Sequence, residues 1–132
     1  MSQERAGARV LVVDDEPDLI RVLQFGLQAA GYTVDCAPDG QEGLKKAREL
    51  RPDIILLDLM LPKLDGYKIC RLLKFDDRYK HIPIIILSAR TQEGDQALAL
   101  EMGANRFISK PYDFSEILGL IETLLKQAPV RP

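Results

Sequence analysis

The stretch PDIILLD, residues 52–58, decides how the rest of the chain is read. Ile54, Ile55, Leu56 and Leu57 run without alternation and end on one carboxylate, Asp58. A strand with one face in water alternates polar and apolar side chains. An uninterrupted apolar run this short belongs to a strand covered on both faces, as in a parallel sheet flanked by helices. The same form occurs twice more: VLVV at 10–13 precedes Asp14, Asp15 and Glu16, and IIIL at 84–87 precedes Ser88. Each apolar run closes on a group that has no place in a hydrophobic core.

Five strands are predicted, at residues 9–13, 33–36, 54–57, 84–87 and 106–108, the last mixed in character and edge-like. Helical patterns lie between them. Leu19, Ile20, Leu23, Leu27 and Ala30 share one face, with Gly31 as a natural stop. Asp39 with Glu42, and Asp113 with Glu116, have capping-box spacing; Asp65 and Thr91 can cap two further helices, and Gly103 ends the second. Ile69, Leu72 and Leu73 give the third helix its apolar side, and Ile117, Leu120, Ile121, Leu124 and Leu125 the last. Strand starts at Val10, Thr33, Ile54, Ile84 and Arg106 are 23, 21, 30 and 22 residues apart, the long interval holding a polar loop near 76–81. Right-handed crossovers then put helices on both faces of a doubly wound α/β sheet.

At 132 residues and 14.8 kDa, with 46% hydrophobic and 29% charged residues, the chain has the composition of one ordinary globular domain. The net charge of −2 argues against a direct nucleic-acid role, which wants a basic surface. The N-terminus lacks the apolar core of a signal peptide, and no run approaches the ~20 residues of a membrane span. Cys36 and Cys70 have no metal-ligand spacing and read as reduced thiols, and the single histidine, His81, reads as a solvated loop residue. A cytoplasmic protein without membrane contact is expected.

Ligand sites in open α/β sheets lie at the carboxyl ends of the strands. Here those ends carry Asp14, Asp15 and Glu16, then Asp58, Ser88, and the Ser109-Lys110-Pro111 turn. Clustered carboxylates repel one another unless something neutralises them. A hard divalent cation with oxygen ligands, Mg²⁺, does so while sharing phosphate oxygens. Capping of the helix that begins near Pro17 accounts for one acid and not for two. A carboxylate beside a cation can attack phosphorus to give an aspartyl phosphate, with Lys110 and Ser88 placed to stabilise the transferring group. Taken singly, Lys110 is equally a solvated loop lysine, Ser88 a helix cap and Phe107 an edge aromatic.

The ordered set VLVVDDEPDL, PDIILLDLMLPKLDGY, IPIIILSAR and GANRFISKPYD resembles the receiver domains of two-component response regulators, with the CheY-like, flavodoxin-like fold. The resemblance runs over residues 9–127, leaving 1–8 as a frayed head and 128–132 as a tail or start of a linker. It implies strand order 2-1-3-4-5 and a cis peptide at Lys110–Pro111. Asp58 would be the phosphoacceptor, contacted by Ser88 and Lys110. Mg²⁺ would be held by Asp14, Asp15, Asp58 and the backbone carbonyl of Met60. Ser88 and Phe107 would form the switch, remodelling the face of helix four, strand five and helix five. Met60, Ala89 and Arg90 would govern access to the phosphate or its lifetime.

The implied partners are a sensor histidine kinase or histidine phosphotransfer protein and a downstream effector protein or domain. The implied chemistry is self-phosphotransfer and autodephosphorylation, not turnover of a separate substrate. No output domain is expected within this length. Asn105-Arg106 stands where winged-helix regulators of the family carry an acidic pair, which weakens the case for their symmetrical mode of phosphorylation-dependent dimerisation. Three other readings compete. A haloacid-dehalogenase-type phosphatase wants a second acid where Met60 stands. A flavodoxin-like electron carrier wants hydroxyls and glycines where Asp14-Asp15-Glu16-Pro17 stands. A receiver-like interaction scaffold would use the fold without phosphorylation.

Overall fold

The computed structural model describes residues 7–61, 63–89 and 95–127. The elements alternate: β1 (Arg9–Val13), α1 (Pro17–Ala29), β2 (Thr33–Ala37), α2 (Gly40–Leu50), β3 (Ile54–Asp58), α3 (Gly66–Lys74), β4 (Ile84–Ser88), α4 (Asp95–Glu101), β5 (Arg106–Ser109) and α5 (Phe114–Gln127). Among the described residues the strands form one parallel sheet in the order β2-β1-β3-β4-β5. This is the doubly wound α/β architecture expected from the alternating pattern. Four strands extend one residue past their predicted ends, to Ala37, Asp58, Ser88 and Ser109. The ladder does not stop where the apolar run stops: Asp58 pairs with Leu87, and Ser88 with Ser109. The polar groups at the sheet edge are therefore strand residues with fixed backbones.

Strand alternation divides the sheet into two cores. Leu11, Val13, Ile55, Leu57, Ile84 and Ile86 pack with Leu44 of α2, Ile69 and Leu73 of α3 and Ala99 of α4. Val10, Val12, Ile54, Leu56, Ile85 and Leu87 pack with Leu23 and Leu27 of α1 and Ile117 and Ile121 of α5. β3 and β4 are buried along their whole length, so their side chains fill both cores, at about 1.5–3 kcal/mol for each buried Leu or Ile.

Helix ends follow local chemistry. The Asp39 carboxylate accepts from the Glu42 amide (2.8 Å), and that of Asp65 from the Lys68 amide (3.0 Å). At α5 the Glu116 amide instead bonds the main-chain carbonyl of Asp113 (3.0 Å). Thr91 lies outside the described residues. Gly31 and Gly103 follow α1 and α4 with φ of +101° and +110°, a conformation that glycine adopts without a Cβ penalty.

Three details of the sequence reading are corrected. On α3 the buried positions are Ile69, Cys70 and Leu73, and Leu72 turns outward, because a 100° step per residue carries it off the core stripe. Ala30 lies past the end of α1 and is exposed. The loop near 76–81 is not simply polar: Tyr79 is buried, with the guanidinium groups of Arg51 and Arg78 5.5 and 5.1 Å from its ring centre, and His81 is half-buried. Cys36 and Cys70 are free thiols, half-buried and buried. Among the described residues no helix is long and apolar enough to cross a membrane.

Candidate functional site

The carboxyl ends of β1, β3 and β5 bring four acids and one lysine together. Asp14, Asp15, Glu16 and Asp58 each offer a carboxylate oxygen, all within 4.8 Å of one another. Asp14 (1% exposed) and Asp58 (6%) are buried, whereas Asp15 and Glu16 are open to solvent. Lys110 Nζ reaches into the cluster, 3.0 Å from Asp14 Oδ2, 3.2 Å from Glu16 Oε1 and 3.4 Å from Asp58 Oδ2. Among the described residues, one ammonium against four carboxylates leaves the pocket negative.

Backbone contacts fix these groups. The Asp14 amide donates to the Ala37 carbonyl (3.1 Å), tying the end of β1 to β2. Asp14 Oδ1 accepts from the Glu16 amide (3.0 Å), and Asp58 Oδ1 from the Met60 amide (3.1 Å). The N-cap of α1 is Glu16, which makes no side-chain cap bond, while Pro17 supplies the first helical residue. Capping therefore does not account for the paired aspartates. The Lys110 amide donates to the Ser88 carbonyl (2.8 Å), and the peptide from Lys110 to Pro111 is cis. Lys110 is thus anchored to the residue after Leu87, the register partner of Asp58.

Burial pushes the Asp58 carboxyl above its ordinary range, against the pull of the Met60 amide and Lys110. For Lys110, burial disfavours the charge, but Asp14, Asp58 and Glu16 outweigh it and hold the ammonium protonated beyond the usual range. Tyr112, two residues on, has a buried hydroxyl without a hydrogen-bond partner among the described residues, and burial raises its pKa to about 12.

The remaining predicted residues surround this pocket. Ser88 is fully buried. Phe107 pairs with Ile86 in the β4–β5 ladder, is half-buried, and packs against the core under α2, α3 and α4. Ser88 lies two residues beyond Ile86, so strand alternation puts Ser88 and Phe107 on the same side of the sheet. Met60 and Ala89 are exposed at the rim, and Arg90 lies outside the described residues. A cavity of about 560 Å³ opens beside Lys110, lined by Glu16, Val22, Ala89, Pro111 and Phe114 among others. Sequence reasoning gave Glu16 and Tyr112 no role. Glu16 was legible as the third acid of a run; the unpartnered Tyr112 hydroxyl leaves no mark in sequence.

The family model for the response regulator receiver domain matches residues 10–122. The chain belongs to that family. As a receiver domain it is a signalling module of two-component systems. It is 40% identical over 122 residues to the alkaline phosphatase synthesis transcriptional regulatory protein PhoP of Bacillus subtilis (strain 168), covering 92% of this chain and 50% of the relative. Among solved structures, the signal receiver domain of a signal transduction histidine kinase from Syntrophus aciditrophicus superposes with a TM-score of 0.88 at 30% identity, covering 96% of each chain. The chemotaxis response regulator CheY4 of Vibrio cholerae superposes with a TM-score of 0.83 at 30% identity, covering 89% of this chain and 98% of that one. The receiver chain spans about half the length of the curated relatives it matches.

Proposed function

We propose that this receiver accepts a phosphoryl group on Asp58 from the phospho-histidine of a sensor histidine kinase or phosphotransfer protein, and passes the signal on through an altered surface. The carrying observation is the setting of Asp58. It is buried at the end of β3, with Oδ1 on the Met60 amide and Oδ2 facing Lys110. In transfer, an Asp58 oxygen forms the new P–O bond as the donor's P–N bond breaks. The electron pair returns to the imidazole nitrogen, which takes up a proton from solvent. Lys110, already charged and anchored by Ser88, stabilises negative charge on the transferring oxygens, and the Ser88 hydroxyl donates to another.

The four-carboxylate pocket fits a hard divalent cation, because its donors are all oxygen and Lys110 offsets only part of its charge. Asp14, Asp15, Asp58 and the Met60 carbonyl would hold Mg²⁺, which supplies charge neutralisation between carboxylates and phosphoryl oxygens. The cleft beside Lys110, continuous with exposed Val22 of α1, offers the phosphodonor a surface.

Phosphorylation adds roughly 1.5–2 negative charges at Asp58. Ser88 drawn toward them vacates space on the side of the sheet that Phe107 shares, and Phe107 turns in to fill it. The α4-β5-α5 surface presented to an effector protein or domain changes accordingly. Met60, Ala89 and Arg90 tune phosphate lifetime in this reading. Free thiols accord with a cytoplasmic setting.

The test is intact-mass measurement after incubation with acetyl phosphate, with Mg²⁺ or with EDTA. A labile adduct of one phosphoryl group is expected with Mg²⁺, absent in Asp58→Asn and strongly reduced by EDTA. No adduct from acetyl phosphate or from a phosphorylated histidine phosphotransfer protein would overturn the reading in favour of an unphosphorylated scaffold.

A further inference from the structure

The outer face of α3 leaves two large apolar side chains in water. Leu72 is 37% exposed and Phe75, the C-cap residue, 75%. They are three residues apart on one helical stripe and line a cavity of about 1020 Å³ that reaches Arg48 of α2 on one side and Met102, just after α4, on the other. Large apolar groups grouped beside a concave surface are the usual mark of a contact site.

The charges around them have one sign to spare. Lys68 and Arg71 share the stripe with Leu72 and Phe75, and neither is in an ion pair among the described residues. Two of the three acids of the cavity are paired with bases, and the third caps the helix. Asp65 caps α3 through the Lys68 amide (3.0 Å). Asp76 is held by two hydrogen bonds from the Arg78 guanidinium (3.1 and 2.9 Å). Asp77 is paired with Lys80 (3.0 Å). Arg48, beside Asp76, together with the unpaired Lys68 and Arg71, therefore gives the apolar centre a rim with a basic balance, four bases against three acids, on a molecule whose net charge is −2.

We propose that the α3 face docks an acidic amphipathic helix of a partner protein. The partner's apolar residues cover Leu72 and Phe75, and its carboxylates meet Lys68, Arg71 and Arg48. The surface is centred on α3, not on the α4-β5-α5 face that it borders at Met102, and does not depend on the phosphorylation reading. Its helix is tied by a backbone hydrogen bond to the segment that follows Asp58. The Gly66 amide that begins α3 donates to the Leu59 carbonyl (3.0 Å), one residue past Asp58.

The test is a displayed library of helical peptides selected on the full chain, followed by titration of the enriched peptides and NMR shift mapping. Enriched sequences are expected to carry Asp and Glu on one face and Leu, Phe or Trp at i, i+3 and i+4, with shifts centred on α3. Arg71→Glu and Phe75→Ala are each expected to weaken binding by about tenfold or more. A Lys-substituted peptide should recover affinity for Arg71→Glu. Both positions are exposed, and unchanged unfolding midpoints and circular dichroism spectra will establish that the variants are folded. Basic or unpatterned peptides, shifts on another face, or variants that bind like the parent overturn the proposal. Sedimentation showing a dimer that Phe75→Ala abolishes assigns the face to a second copy of this chain and overturns it equally.

Discussion

Asp58 is a carboxylate held where ionisation is unfavourable. Burial raises its pKa, and Asp14 adds repulsion, while Lys110 and the Met60 amide offset only part. The folded chain therefore keeps this proton to higher pH than the unfolded chain, and stability falls as pH rises through the interval between the two pKa values. At neutral pH the ionised group weakens the fold. Asp58→Asn removes that charge, so in EDTA at pH 7 its unfolding midpoint is expected to rise by on the order of a few degrees. Mg²⁺ should narrow the gap by stabilising the parent chain. A lower midpoint for Asp58→Asn in EDTA would mean that the Lys110 and Met60 contacts dominate. Asp14, Asp15, Asp58, Ser88 and Lys110 were legible because each stands at the carboxyl end of a predicted strand, and topology gathers such residues at one edge. The three-way grip of Lys110 on Asp14, Glu16 and Asp58 was not, since side-chain reach depends on a backbone path that no local pattern encodes.

At the scale of the element, the junction of β3 with α3 is closely constrained by backbone beside the pocket. A Cβ on Gly66 would stand 2.6 Å from the Asp58 carbonyl oxygen and 2.8 Å from Leu59 Cα, both backbone atoms with little freedom to retreat. Gly66→Ala is expected to cost about 1–3 kcal/mol and to slow phosphorylation by acetyl phosphate, because relief of the clash moves the end of β3. Gly119→Ala in α5 is the matched control. Among the described residues nothing lies within 4 Å of its Cβ, so the helix should gain about 0.5–1 kcal/mol. Urea unfolding of the two variants checks the pair, and equal destabilisation would sink the contact argument. The central strands could be read from their runs of Val, Ile and Leu, and α1, α2 and α5 from period and cap. Reading failed where tertiary contacts overrule local pattern. Leu72 has the residue type of a core position but the wrong angle, and Tyr79 anchors a loop whose neighbours are polar.

At the scale of the whole molecule, the sheet has a rigid middle and two thinner edges. β1, β3 and β4 are paired on both sides, whereas β5 pairs only with β4 and has one buried residue, Ile108. The strand order was implied by family resemblance; alternation alone gives a parallel sheet without fixing which strand lies where. Asn105-Arg106 departs from the pattern of winged-helix regulators, yet relatives at about 40% identity include proteins named as transcriptional regulators. A change at one edge strand thus leaves the pocket and core family-like. That asymmetry makes a dynamic prediction, since local opening needs little free energy where few apolar contacts must break. In native-state hydrogen exchange, amides of Ile55, Leu56, Ile85 and Ile86 should exchange only through global unfolding, and those of Phe107 and Ile108 at least about tenfold faster. If phosphorylated Asp58 draws Ser88 toward it, exchange in β5 should change on phosphorylation while that of Val10 to Val12 stays fixed. Uniform protection across the sheet would remove the mechanical basis for a switch at β5, because an edge as stable as the centre cannot be shifted by rearrangement at one residue.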